Sequence, residues 1–195
     1  MKREDLVEIR IHGRGGQGAV SAATLAAEVA FKSGYYPQAF PFFGAERRGA
    51  PVMAFLRYSS SSLMPRCRIY KPKYVVVFDS ELPAEGIVSG LKEEGGLLIN
   101  ASTELPSAYA DVPVNKIYQV DASQIAAEHG LIASGMPLVS SVMLGALIRI
   151  LDLSSLNVLE ETLMAKMAHL AEENVKGARR GYNEVKEVFN SAYIQ

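Results

Sequence analysis

Along the chain the spacing of apolar and polar residues changes period, and each change marks an element. Val7, Ile9 and Ile11 alternate with Glu8, Arg10 and His12, the two-residue period of a strand. Four glycines follow within six residues, at Gly13, Gly15, Gly16 and Gly18. From residue 19 to 33 the chain is small and apolar, charged only at Glu28 and Lys32, four apart and so on one helix face. Gly34 then suits the left-handed position just past a helix end. The pattern predicts strand, glycine turn and helix. The helix N-terminus of such a βα unit turns free backbone N–H groups toward whatever lies above the turn.

Residues 35–43 are aromatic and extended, with Pro37 and Pro41 excluding a helix, and residues 44–51 form a glycine-bounded irregular loop. Residues 52–58 read as a strand, 59–62 as a polar turn and 64–70 as its antiparallel partner. Continuous apolar runs at 74–78 and 97–100 suit strands buried on both faces, with a short helix at 85–94 between them. Another strand is predicted at 115–120, then a helix at 122–130 capped by Asp121 with Gln124 three residues on. Pro137 fits a first helical position ahead of a buried helix at 139–151. Asn157 and Glu160 resemble a cap for a helix placing Leu159, Leu163, Met167, Leu170 and Ala171 on one face. A last helix aligns Val175, Ala178, Tyr182, Val185 and Phe189. These elements predict an α/β fold: a Rossmann-like, mostly parallel sheet with flanking helices, a β-hairpin excursion near 52–70 and a helical C-terminal portion. One domain over 1–195 suffices.

Charge and cysteine content narrow the chemistry. With 195 residues and a net charge of −1 the chain carries no whole-chain electrostatic footprint for nucleic acid. The apolar runs fall short of the ~20 residues that span a bilayer, and no apolar run follows the charged start, so no membrane partner and a cytoplasmic location are expected. Cys67 is the only cysteine, so this chain alone can hold neither a disulfide nor a [4Fe–4S] cluster. It lies between Arg66 and Arg68, and the preferred reading is a structural cysteine in a strand. His12, His129 and His169 show no metal-ligand spacing, and no metal site is expected.

Gly13, Gly15 and Gly18 match the G-x-G-x-x-G spacing used for tight turning, close backbone approach of a ligand and close helix packing, and Gly16 adds freedom. The competing reading is that they serve helix–sheet packing alone. Glu46, Arg47 and Arg48 lie in the 44–51 loop, either as a self-compensating surface cluster or as a bidentate grip on phosphate or carboxylate. A dinucleotide site lacks its ribose acid, which should stand ~20 residues past the glycines. There is no Lys-Ser/Thr pair for a nucleotide loop and no G-x-S-x-G. Asp79, ending a buried strand, suits a ligand or the cap of the next helix. No complete catalytic set is visible. The candidate anion or interface set is Gly13, Arg14, Gly15, Gly16, Gln17, Gly18, Arg47 and Arg48.

The runs 13–20, 38–41, 43–52 and 69–70, with the 143–147 helix and the Gly181-Tyr182 pair, closely resemble the gamma subunits of pyruvate:ferredoxin oxidoreductases and, more broadly, of 2-oxoacid:ferredoxin oxidoreductases. The Arg47-Arg48-Gly49-Ala50-Pro51-Val52 form looks like the pyruvate branch; the 2-oxoglutarate and indolepyruvate branches, and a stand-alone dinucleotide-binding protein, are the alternatives. The resemblance implies a reaction of the EC 1.2.7 type, oxidative decarboxylation of a 2-oxo acid to an acyl-CoA with electrons passed to ferredoxin. It implies thiamine diphosphate and Mg on alpha and beta partners, and [4Fe–4S] clusters on beta and a ferredoxin-like delta partner. This chain would then bind no cofactor alone, be structural or serve the CoA side, and could pair with itself when isolated.

Overall fold

The central strands bury side chains on both faces, and two apolar clusters divide the molecule accordingly. In the computed structural model, residues 6–42, 49–61, 65, 67–102 and 104–188 are described. The chain runs β1 (Val7–Arg14), α1 (Ala19–Lys32), β2 (Tyr36–Phe42), β3 (Pro51–Ser59), β4 (Tyr74–Val77), α2 (Ala84–Val88), β5 (Gly96–Asn100), β6 (Lys116–Val120) and α3 (Ala122–Glu128). It continues through β7 (Ile132–Ala133), β8 (Met136–Pro137), α4 (Ser140–Leu151), α5 (Leu156–Lys166), α6 (Ala171–Glu184) and β9 (Lys186–Val188). Seven strands make one sheet in the order β2-β3-β1-β4-β5-β6-β9, and β7 pairs only with β8. β1, β4, β5 and β6 are parallel neighbours, while β3 runs antiparallel to β1 and β2, and β9 antiparallel to β6.

On one face, Ile9, Ile11, Leu56 and Tyr58 join the alanine stripe of α1 and the buried side of α4, with Ala178 of α6. On the other, Val75, Val77, Leu97, Ile99 and Ile117 pack with Ile87 of α2 and with Tyr109, Val112 and Val114. α1 and α2 thus lie on opposite faces, and adjacent β1 and β4 form the switch point where open α/β sheets bind ligands beyond the strand ends.

Two polar positions of β1, Arg10 and His12, are buried too. Arg10 donates from Nε to His12 Nε2 at 2.9 Å, and from Nη2 to the carbonyls of Ile87 at 2.5 Å and Ser89 at 2.7 Å. Burial and the Arg10 charge push the His12 imidazole down to about 3, so it is the neutral acceptor of that bond. Burial also lowers Arg10 from its ordinary value.

Several expectations hold: Gly34 has φ 83, and Asp121 Oδ1 accepts the Gln124 N–H at 2.9 Å. Others are corrected. β3 pairs with β2 and β1, not with the stretch after residue 62, whose described residues 67–70 are not strand. Cys67 is therefore exposed in a loop rather than held in a strand. Pro137 belongs to β8, because Ser134 and Gly135 both adopt positive φ and turn the chain as a hairpin before α4 starts at Ser140. α2 is one turn long, and Asn157 lies inside α5, whose N-cap position is Ser155. Leu170 is 47% exposed, and the chain leaves α6 at Val185 to form β9. Phe189 lies outside the described residues.

Candidate functional site

The glycine turn closes β1 at the switch point. Arg14 N–H donates to Gln17 Oε1 at 2.8 Å and the Gln17 N–H returns to the Arg14 carbonyl at 3.1 Å, so the Gln17 side chain holds the turn from inside. Gly15 is occupied by the two residues just before β3: its N–H donates to Ala50 O at 2.9 Å, and its carbonyl accepts from Gly49 N–H at 3.3 Å. The N–H groups of Gly16, Gly18 and Ala19 have no acceptor among the described residues.

The glycines divide their work differently from the spacing rule. Gly13 is still strand, and a Cβ there would lie 3.1 Å from Gln17 Oε1 and 3.2 Å from Phe78 Cβ, so it serves packing against Phe78, just past β4. Gly16, at φ 101, is the open position; a Cβ would meet only the flexible end of Met136, at 3.4 Å. Gly18, at φ 85, is the N-cap of α1, and a Cβ on it would lie 2.8 Å from Ser140 Cβ. It lets two helix N-termini meet, those of α1 and α4. Neither has a side-chain cap or an acid in its first turn. Ser140, 8% exposed, has no hydrogen-bond partner for its hydroxyl among the described residues. Two uncapped N-termini, free N–H groups and a cation beside them favour an anion.

The cation is Arg14. Its Nε meets Asp79 Oδ2 at 2.5 Å across the switch point, with side-chain exposures of 33% and 14%. Beyond Asp79 a polar cleft of about 340 Å³ opens between Gln17, Ser80, Asn100, Ser102, Asp121 and Ser123. Asn100 is fixed there by donating to Phe78 O and Ser123 Oγ, both at 2.9 Å. Among the described residues no group of three or more His, Cys, Asp or Glu could hold a metal ion, and no helix is long and apolar enough to cross a membrane.

Gly13, Arg14, Gly15, Gly16, Gln17 and Gly18 thus form one turn, with Gly15 spent on Gly49 and Ala50 and Gly16 in the open place. Glu46, Arg47 and Arg48 lie outside the described residues; Gly49, which follows them, is bonded to Gly15. Reading the sequence missed Ser140 and Met136, whose only local signal was the Ser-Gly hairpin ahead of an apolar helix.

Sheet order and turn together define a Rossmann-like α/β domain. The crystal structure of pyruvate oxidoreductase subunit PORC from Thermotoga maritima superposes with a TM-score of 0.81 at 37% identity, over 95% of this chain and 100% of that one. The chain belongs to the pyruvate ferredoxin/flavodoxin oxidoreductase family, whose pattern matches residues 8–184. It is 43% identical over 188 residues to pyruvate synthase subunit PorC of Methanothermobacter thermautotrophicus, covering 94% of this chain and 98% of that one. It is 41% identical over 188 residues to the pyruvate/ketoisovalerate oxidoreductases common subunit gamma of Pyrococcus furiosus, covering 94% and 99%. The chain is a gamma subunit of a multi-subunit 2-oxoacid oxidoreductase.

Proposed function

We propose that this gamma subunit serves the acyl-acceptor side of pyruvate:ferredoxin oxidation, cradling phosphate oxygens of coenzyme A at the glycine turn. The observation that carries the reading is the set of free N–H groups at Gly16, Gly18 and Ala19 beside Arg14 and two uncapped helix N-termini. Phosphate at such a place accepts charge-assisted hydrogen bonds and sits in the positive field of both helices. Arg47 and Arg48, which precede Gly49 in the sequence, stay candidates for the same anion.

A relative's name supports the assignment to CoA. That relative is named as a gamma subunit common to pyruvate and ketoisovalerate oxidoreductases; a subunit shared by two such reactions fits a role toward a component they share, and the acyl acceptor is one. Alpha and beta partners hold thiamine diphosphate and magnesium, while beta and a ferredoxin-like delta partner hold the [4Fe–4S] clusters, consistent with the single cysteine here. Thiamine diphosphate supplies the decarboxylation; Gly16, Gly18 and Arg14 bind and orient the acceptor. The assembly works in the cytoplasm and passes electrons to ferredoxin.

The test uses the assembled complex with pyruvate, CoA and ferredoxin. Arg14→Ala is expected to raise the KM for CoA about tenfold while leaving the KM for pyruvate in place. An unchanged KM for CoA with impaired co-purification of the partners would overturn the reading and make the turn a subunit interface.

A further inference from the structure

Arg14 is held at three points. Its N–H and carbonyl are bound by Gln17, and its Nε by Asp79 Oδ2 at 2.5 Å. Asp79 is itself fixed, because its other oxygen, Oδ1, accepts the Glu81 N–H at 2.9 Å. The carboxylate takes only Nε. Arg14 Nη1 and Nη2 have no partner among the described residues, so the end-on edge of the guanidinium stays free at the turn that carries the open N–H groups of Gly16 and Gly18. A planar fork held by one edge presents the other in a fixed direction, which reduces the ordering that a bidentate oxyanion would otherwise require.

We propose that Asp79 is a positioning residue that presets the Arg14 fork for a phosphate group of the acyl acceptor, across the β1–β4 switch point. The proposal rests on the CoA reading of the turn. It gives Asp79 a role that a helix cap does not have, since the carboxylate acts through Arg14 and touches no ligand. An acid beside an anion site has an opposite possible effect as well: an Asp79 that merely repelled phosphate would weaken binding, and its removal would tighten it. The direction of the change therefore separates the two roles.

A double-mutant cycle on the assembled complex tests this, with KM for CoA and kcat read separately. Asp79→Ala is expected to raise the KM for CoA about fivefold with kcat within about twofold, to a lesser extent than Arg14→Ala. Asp79→Asn keeps an oxygen for Arg14 Nε and is expected to restore most of the loss. In the Arg14→Ala background, Asp79→Ala is expected to change the KM no further. A full additional loss in that background, or a lowered KM in Asp79→Ala alone, overturns the proposal. If Arg14→Ala itself leaves the KM for CoA unchanged, the CoA reading has failed; if Arg14→Ala raises it and Asp79→Ala does not, the positioning role alone has failed.

Discussion

Gly18 and Ser140 stand so close that a Cβ on Gly18 would lie 2.8 Å from the Ser140 Cβ and 2.9 Å from its hydroxyl. The contact brings the N-termini of α1 and α4 together, and Gly18 also holds φ 85, where an L side chain is strained. Gly18→Ala is therefore expected to destabilise by about 2–4 kcal/mol, strain and overpacking together. Gly16→Ala carries the strain without the backbone-proximal clash and should cost about 1–2 kcal/mol. Ser140→Gly combined with Gly18→Ala should recover the packing part. Urea unfolding of the three variants checks the order; equal losses at Gly16 and Gly18 would refute the packing role of Gly18.

The crossing of α4 and α6 is closer still. A Cβ on Gly145 would lie 1.9 Å from the Ala178 carbonyl oxygen, and one on Gly181 would lie 2.0 Å from that of Val142. Those are backbone atoms, which cannot swing aside. Ser141 donates to Asn174 Oδ1 at 2.7 Å in the same interface, both residues buried. Gly145→Ala and Gly181→Ala are each expected to cost more than about 4 kcal/mol, or to prevent soluble expression. Gly86→Ala, where a Cβ meets nothing within 4 Å, is the matched control and should be nearly neutral by thermal unfolding.

Local chemistry was legible and long-range pairing was not. The βα unit, the apolar runs of β4 and β5 and the Asp121 cap each depend on a few neighbouring residues, and the structure contains all of them. The insertion of β3 between β1 and β2 depends on which distant strand wins its edges, which alternation along β3 does not encode. β9 is three residues with Lys186 and Glu187 exposed, so it has no apolar pattern to find. At the site, spacing located the turn but not the division of labour among its glycines, because Gly15 answers to Ala50 and Gly18 to Ser140, both far along the chain. Asp79 was readable as ligand-facing or as a cap; its two oxygens serve Arg14 and the Glu81 N–H separately.

His12 makes stability depend on pH. An unfolded chain takes up a proton on this imidazole below its ordinary value of about 6.5, whereas the folded chain refuses it until about 3. Between those values the unfolded state binds more protons, so stability is full above pH 6.5 and falls as pH drops through the window. The expected loss from this residue between pH 6.5 and 5 is about 2 kcal/mol. His12→Asn keeps an oxygen for the Arg10 Nε–H and has no proton to gain, so its urea midpoint should fall less over that range. Parallel pH slopes in the two proteins would show that other groups set the dependence.

Among the described ion pairs, that of Glu8 with Arg57 is the one with a fully buried cation. Arg57 is 0% exposed at its side chain and pairs with Glu8 at 2.9 Å, while Glu8 is 20% exposed. The Arg57 Nη2 also donates to Cys67 O at 2.8 Å and its Nη1 to Gln38 Oε1 at 3.4 Å and to Pro65 O, but Nε has no acceptor among the described residues. Glu8→Ala removes the one counter-charge among the described residues and leaves a guanidinium buried among neutral acceptors, an expected loss of about 3–5 kcal/mol. Arg57→Met keeps an unbranched side chain against Phe40 and removes both the charge and the unsatisfied Nε. Adding Arg57→Met to Glu8→Ala should therefore restore stability rather than add a second loss, and denaturant unfolding of the four proteins in the cycle gives the sign. A double variant less stable than Glu8→Ala would mean that the carbonyls of Pro65 and Cys67, deprived of their donor, outweigh the buried charge.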